Sequence, residues 1–472
     1  MKTETVNPNV SNFVKSLRDV GYTFEIAVAD VLDNSITAKA TNIEIFTVPK
    51  PKIILCMLDN GIGLTENQLT EAMRLATKNP DDNRDKKDLG RFGLGLKTAS
   101  FSQCKKLTVF SKNNAIISIK QWNLDFIAKT NEWLLITPKI SDYKDLPLLS
   151  KLINSKSGTL VLWEQIDRYK EDSFSHKIDK LREHLSLVFH RFLEGYGNNR
   201  KLKILINNLA VTPFDPFNIK HPSTLEKAPE KIKYYGNNIL VAPFILPHHK
   251  NLTQEEWEKF STEDGYIKSQ GFYLYRANRL LIHGTWWGLH KATDAHKLVR
   301  IKIDISNNQD KYWGIDIKKS TAHPMPEIKK DLKRIISEVT KEGAKPFSKR
   351  GRKINDKTIT RFWRIIPTHD EFHFGLNKDH PIYKKLVSTL PADSLTILNT
   401  YLKGLEAYLP LETIQSQLQQ NPYNIKQESA LTHDDIQSFV DKLKSLGLTQ
   451  DYIESLLKTE IFKNNKELLI DE

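Results

Sequence analysis

Two segments constrain this chain more than any other feature: AVADVLDNSITA (27–38) and DNGIGL…DLGRFGLGLKTASF (59–101). In the first, Asp30 and Asn34 are four residues apart in an amphipathic run, which on a helix places a carboxylate and an amide one turn apart on one face. A water activator and a magnesium ligand can sit side by side there. In the second, Asp59 follows the apolar run IILCML and is trailed by Gly61 and Gly63, so a strand delivers an acceptor into a loop of bare backbone. Gly90, Gly93 and Gly95 then run directly into a helical pattern that starts near Leu94. Glycines just before a helix N-terminus let amide N–H groups and the positive dipole end wrap phosphate. Lys97 follows in the spacing GLGLKT, without the GK[ST] of a Walker A loop, so a P-loop is excluded and Lys97 faces either phosphate or solvent.

In this order the segments resemble the N-box, G1 and G2 boxes of the GHKL ATPase superfamily, which includes gyrase B subunits, heat-shock chaperones, sensor histidine kinases and MutL-type repair proteins. The chain looks most like the Microrchidia (MORC)-type ATPases, in particular their bacterial relatives, with the motifs spanning roughly the first 165 residues. The resemblance implies ATP and Mg2+ as cofactors, with Asn34 supplying the magnesium oxygen. Asp30 stands where most of the family has Glu as the water-polarising base, and aspartate is one methylene shorter, so reaching the nucleophile needs a shifted helix or a second water. Asp59 is implied to accept the adenine amino group, with Gly61 and Gly63 permitting close approach of the base. Gly90, Gly93, Leu94, Gly95 and Lys97 are the implied phosphate-side residues, and Thr159 in SGTLVLW lies where the family places a threonine near the adenine-bound water. Asp33 is read as structural, a helical step off the Asp30 face.

Composition sets the outer bounds. A chain of 472 residues with 39% hydrophobic content holds two or three domains with ordinary cores. The two cysteines, Cys56 and Cys104, have no CxxC or partner spacing, and the fourteen histidines show no HExxH, so neither a disulfide framework nor a protein-held zinc site is indicated. A GxSxG elbow is absent too. The N-terminus has no apolar h-region and no apolar run reaches the ~20 residues of a membrane span, so the expected location is cytoplasmic with no membrane partner. A net charge of +13 permits polyanion binding.

The expected fold is an α/β (α+β) two-layer sandwich of Bergerat type over residues 1–196, then a ribosomal-S5-like β-α-β transducer domain over 197–350, then a mostly helical C-terminal region over 351–472. The first region reads as helices at 9–19 and 23–40, strands at 43–48 and 52–58, and a helix over ENQLTEAMRL opened by a Thr65–Gln68 capping box. A polar tract (77–88) is a lid candidate, and a short helix (94–103), strands at 105–111, 115–122, 132–137 and 159–163, and one long helix (176–193) follow. In the second region 239–246, 271–282 and 298–305 read as strands and 325–342 as a helix. YRANRLLI and the KKS turn are the landmarks matching the transducer domain, from which a lysine reaches back to the γ-phosphate in relatives; Lys318 or Lys319 is that lysine here. The basic tract 327–353 is either a phosphate-tracking surface or a solvated helix face with a linker.

Three functions follow. The first is an ATPase whose nucleotide-driven homodimerisation closes a clamp, on DNA, in bacterial DNA maintenance or defence, with any cleavage left to a separate effector protein. The second is a non-hydrolysing, ATP-gated scaffold, argued from the shorter Asp30. The third, a histidine-kinase-like phosphotransfer enzyme, fits poorly because only about twenty residues precede the N-box and kinases lack its carboxylate. A chaperone is disfavoured by the S5-like second region.

Overall fold

The computed structural model describes residues 3–4, 9–75, 89, 95–171, 174–197, 200–234, 236–261, 265–316, 318–343, 359–367, 372–420, 431–445, 447, 449–462 and 465–469. The chain begins with α1 (Val10–Arg18) and α2 (Phe24–Thr37), then β1 (Asn42–Val48), β2 (Ile54–Asp59), α3 (Glu66–Met73) and α4 (Gly95–Gln103). β3 (Cys104–Asn113), β4 (Ile116–Asn123), α5 (Leu124–Thr130), α6 (Leu149–Asn154) and β5 (Gly158–Ile166) follow, then α7 (Phe174–Val188), α8 (His190–Glu194), β6 (Lys203–Ile206) and β7 (Leu209–Ala210).

These strands form one seven-stranded sheet in the order β4-β3-β5-β2-β1-β6-β7, antiparallel except where β6 joins β1. The run IILCML lacks polar alternation because β2 is buried on both faces. Leu55 and Met57 face the main core with Val161 and Trp163 of β5, while Cys56 and Leu58 face a smaller cluster covered by α6. The main core takes in α2, α4 and α7, whose Phe24, Phe101 and Leu185 are fully buried. Phe24 meets the rings of Trp163 and Phe174 edge-on at 6.3 and 5.5 Å, and the Trp163 indole donates to Ser100 Oγ at 2.8 Å, so α2 and α4 are locked to the same strand.

The capping box of α3 forms as read: Thr65 accepts from the Gln68 N–H and the Gln68 side chain returns to the Thr65 N–H. Two readings need correction. Residues 132–137 are not a strand, because Asn123 caps α5 and turns the chain, leaving one isolated bridge between Gln121 and Ile136. The helix expected over 176–193 is two helices, broken at Phe189, whose side chain is fully buried and whose backbone leaves the helical region (φ −107°, ψ 11°).

A second sheet, in the order β12-β11-β13-β10-β8 with β9 also paired to β10, is built from β8 (Leu225–Glu226), β9 (Glu230–Tyr234), β10 (Asn237–Ile245), β11 (Gly271–Arg276), β12 (Arg279–Thr285) and β13 (Val299–Ile305). β11 and β13 are parallel. α9 (Gln254–Ser261) and α10 (Gly265–Lys268) precede β11, and α11 (Asp310–Trp313) and α12 (Pro326–Gly343) follow β13. Residues 271–282 are therefore not one strand but a hairpin. Ala277 and Asn278 both hold positive φ (48° and 69°), the two-residue turn that suits strand twist, made here without the glycine that would have flagged it.

The chain divides into two compact units, and both sheets belong to the first: Met1–Pro247, Phe260–Thr293 and Lys297–Val339. The second unit comprises His248–Lys259, Asp294–His296 and Thr340–Glu472. It contains a hairpin of β14 (Trp363–Pro367) and β15 (Phe372–Leu376), which the helical reading missed, then α13 (Pro381–Thr389), α14 (Ala392–Ala407), α15 (Leu411–Gln420), α16 (His433–Ser445) and α17 (Gln450–Leu457). Ile436, Val440, Leu456 and Phe462 form its core.

Candidate functional site

α2 is opened by Thr23, whose side chain accepts the Ile26 N–H, and buries nearly every residue over three turns. Its apolar positions face the main core, which leaves Asp30 and Asp33 as carboxylates almost wholly withdrawn from water, each 2% exposed. Buried carboxylates require partners. Tyr22 Oη donates to Asp30 Oδ2 at 2.9 Å, and Lys319 Nζ reaches Asp30 Oδ1 at 3.0 Å and Asp33 Oδ2 at 2.6 Å. Arg279 Nε donates to Asp33 Oδ1 at 2.9 Å, with its Nη2 4.0 Å from Asp30 Oδ1. Two acids and two bases thus form one buried network, and Asp33 is part of the Asp30 face. Burial raises the Asp30 pKa above the usual carboxylate range, Lys319 opposes that, and Asp33 adds to it. Burial and the neighbouring Asp30 hold the Tyr22 phenol well above its ordinary value, so it stays a donor.

Gly95 opens α4 against this network: a Cβ there would stand 3.7 Å from Asp30 Oδ2, so the third glycine of the trio abuts the N-box carboxylate. Gly90, Gly93, Leu94 and the lid candidate 77–88 lie outside the described residues. Lys97 does not face solvent. It is 3% exposed and donates to the Ala72 carbonyl at 2.9 Å, beside the Trp122 indole on the Met73 carbonyl at 3.0 Å, so together they satisfy the C-terminal carbonyls of α3.

Asn34, on the next turn of α2, is exposed; its Nδ2 donates to the Asp30 carbonyl at 3.3 Å and, among the described residues, its Oδ1 accepts nothing. No group of three or more His, Cys, Asp or Glu among the described residues is arranged to hold a metal. A magnesium ion at Asn34 fits the ion's habit of keeping waters and taking one or two protein oxygens together with substrate phosphates.

Asp59 ends β2 at 7% exposure, with Oδ1 accepting the Gly61 N–H at 2.8 Å and Oδ2 accepting Ser35 Oγ at 2.8 Å. Burial raises its pKa, against these bonds and one from the Thr159 backbone. The carboxylate keeps one lone pair for an incoming donor. Thr159 stands directly opposite Asp59 in the sheet, its Oγ1 3.0 Å from Ser111 Oγ. The glycines have a protein reason as well: at Gly63 (φ +66°) a Cβ would fall 1.9 Å from the Lys112 carbonyl oxygen, and at Gly61 one would meet Ala38 and Asp59 at 2.9 Å.

Of the two lysines, Lys319, in a left-handed conformation (φ 56°), enters the acid network, while Lys318 Nζ lies 3.4 Å from the Gly21 carbonyl. Tyr22, Ser35, Arg276 and Arg279 went unassigned in the sequence. The first two have no motif spacing to Asp30 or Asp59, and the arginines were visible only as part of YRANRLLI. Arg276, 2% exposed, donates from Nε to Asp310 Oδ1 at 2.7 Å and from Nη1 to the Leu89 carbonyl at 3.0 Å, immediately before Gly90. The two arginines that flank the β11–β12 turn therefore reach the Leu89 carbonyl and Asp33.

Residues 22–159 match the family described as "Histidine kinase-, DNA gyrase B-, and HSP90-like ATPase". No curated protein matches the chain.

Proposed function

We propose, on the premise that residues 22–159 are a GHKL-type ATPase domain, that the protein binds ATP with magnesium and hydrolyses it slowly, using Asp30 as the base. The observation that carries this reading is Lys319, which comes from beyond the second sheet and lies on Asp30 and Asp33. Asp59 accepts the adenine amino group, a contact that disfavours guanine, and Asn34 lends its amide oxygen to the magnesium. When bound, that ion neutralises charge on the phosphates. An ion-paired Asp30 is a poor base, so the γ-phosphate must first draw Lys319 away. Asp33 and Arg279 then retain each other, and Tyr22 keeps Asp30 oriented toward the water. This exchange links nucleotide state to the 197–350 region, in the manner of an S5-like transducer.

On this reading ATP drives homodimerisation and clamp closure on DNA, supported by the net charge of +13 and by the MORC- and MutL-like motif order, in a cytoplasmic, bacterial maintenance or defence role with a separate effector. Among the described residues no helix is long and apolar enough to cross a membrane. The second reading, an ATP-gated scaffold without turnover, is favoured by one observation: the shorter carboxylate is already neutralised by Lys319.

Asp59→Asn tests the nucleotide assignment. Removing a charged acceptor costs about 1.5–3 kcal/mol, so ATP affinity falls roughly 10- to 100-fold and discrimination against GTP relaxes. Calorimetric ATP binding unchanged in Asp59→Asn overturns the assignment.

Lys319→Met tests the exchange. The free-enzyme kcat/KM falls on the acid side as Asp30 protonates, and Lys319 opposes the upward shift caused by burial. Its removal moves that acid limb to higher pH and lowers kcat as well. An acid limb in the same place as in the native protein would show that Lys319 does not govern the base.

A further inference from the structure

The cations that meet Asp30 and Asp33 have a second side. Behind them lies a cavity of about 140 Å³ lined by Arg279, Lys318, Lys319, Ser320, His184 and His283, the rest of its wall being apolar side chains with Ile26 among them. Among the described residues the wall holds no carboxylate, and Asp30, Asn34, Asp59 and Gly95 do not line it. Ile26 lies one turn of α2 before Asp30 and two turns before Asn34, so the cavity sits toward the N-terminal end of α2, away from Asn34 and from Asp59, which meets Ser35. The polar groups of the wall are each tethered: Arg279 by Asp33, Lys319 by Asp30 and Asp33, Lys318 beside the Gly21 carbonyl, and Ser320 through both its N–H and its hydroxyl on Asp316. Such tethering orients charge before a ligand arrives, which is what anion recognition by guanidinium and ammonium groups requires. The positive field inside is felt by His184, which withdrawal from water, Arg279 and His283 together hold neutral, down at about 3.

We propose that this cavity is a second anion site, for a tetrahedral oxyanion of the inorganic phosphate class, set back to back with the nucleotide site across Lys319 and Arg279. An oxyanion there competes with Asp30 and Asp33 for the two cations and, by offsetting their charge, favours uptake of a solvent proton by His184. Its influence on Asp30 as a base rests on the ATPase reading; the binding itself does not.

The experiment is a calorimetric titration of inorganic phosphate into the full chain without nucleotide in 150 mM KCl (a salt level at which exposed charges are screened beyond about 8 Å), with His184 followed by its imidazole NMR signal. Native protein is expected to bind phosphate saturably, with the His184 signal shifting in step. His283→Glu places a carboxylate on the exposed rim and Lys318→Glu reverses a wall charge, and each weakens phosphate at least tenfold. Asp59→Asn leaves phosphate binding unchanged while ATP affinity falls. Absence of binding in the native protein, or binding in both variants as tight as in the native protein, overturns the proposal. Loss of phosphate binding in the rim variants with ATP affinity unaltered in Asp59→Asn upholds the anion site and removes the nucleotide assignment instead.

Discussion

Asp30→Asn is expected to keep ATP affinity within a few-fold of native and to lower turnover by about 10²- to 10⁴-fold, the contribution of a positioned general base. The amide has the shape of the carboxylate, accepts from Tyr22 at the same place, and leaves Lys319 on Asp33, so the fold around α2 has no reason to collapse. What is lost is the basicity of residue 30 and its ion pair with Lys319, which keeps Asp33. Steady-state hydrolysis with magnesium, native against Asp30→Asn and Asn34→Ala at matched concentration, reads the result. Native turnover no faster than Asp30→Asn would discard the base and leave the ATP-gated scaffold as the working description. The comparison is sharp because Asp30 is aspartate where most GHKL proteins carry glutamate: the missing methylene must be made up by the position of α2, by Tyr22, or by a second water.

Arg276→Met is expected to be the most destabilising single change near the site, by about 3–5 kcal/mol, since removing one partner strands the other charge in the interior. Arg276 and Asp310 are almost fully buried and 2.7 Å apart, and Arg276 also donates to the Leu89 carbonyl. The double variant Arg276→Met/Asp310→Leu recovers much of the loss, because an apolar pair of similar volume carries no desolvation penalty. Urea unfolding of the two singles and the double closes the cycle. Additive losses would mean that the pair is not an energetic unit and that the grip of the hairpin on the segment before Gly90 arises elsewhere.

Much of the first sheet was legible because its signals are local. Thr65 and Gln68 announce a helix start through bonds spanning three residues, and IILCML followed by Asp59 announces a buried strand delivering an acceptor. Where a signal was degenerate, reading failed. Ala277-Asn278 makes a tight turn without glycine, so a hairpin read as one strand, and Phe189 broke a helix whose periodicity continues through it.

The sequence by itself determined which groups are available and in what order: Asp30 and Asn34 one turn apart, Asp59 at a strand end, Gly95 at a helix start. Only the tertiary structure decided what each of them meets. Asp33 joins Asp30 because Lys319 and Arg279 arrive from nearly 300 and 250 residues away, Lys97 reaches the end of α3, and Ser35 finds Asp59. Periodicity and capping arise from hydrogen bonds and packing within a few residues, so they leave a trace in the local sequence. The partner of a buried charge is selected by the cost of leaving it unpaired, and that cost is met by whatever the folded chain brings within reach, at any separation.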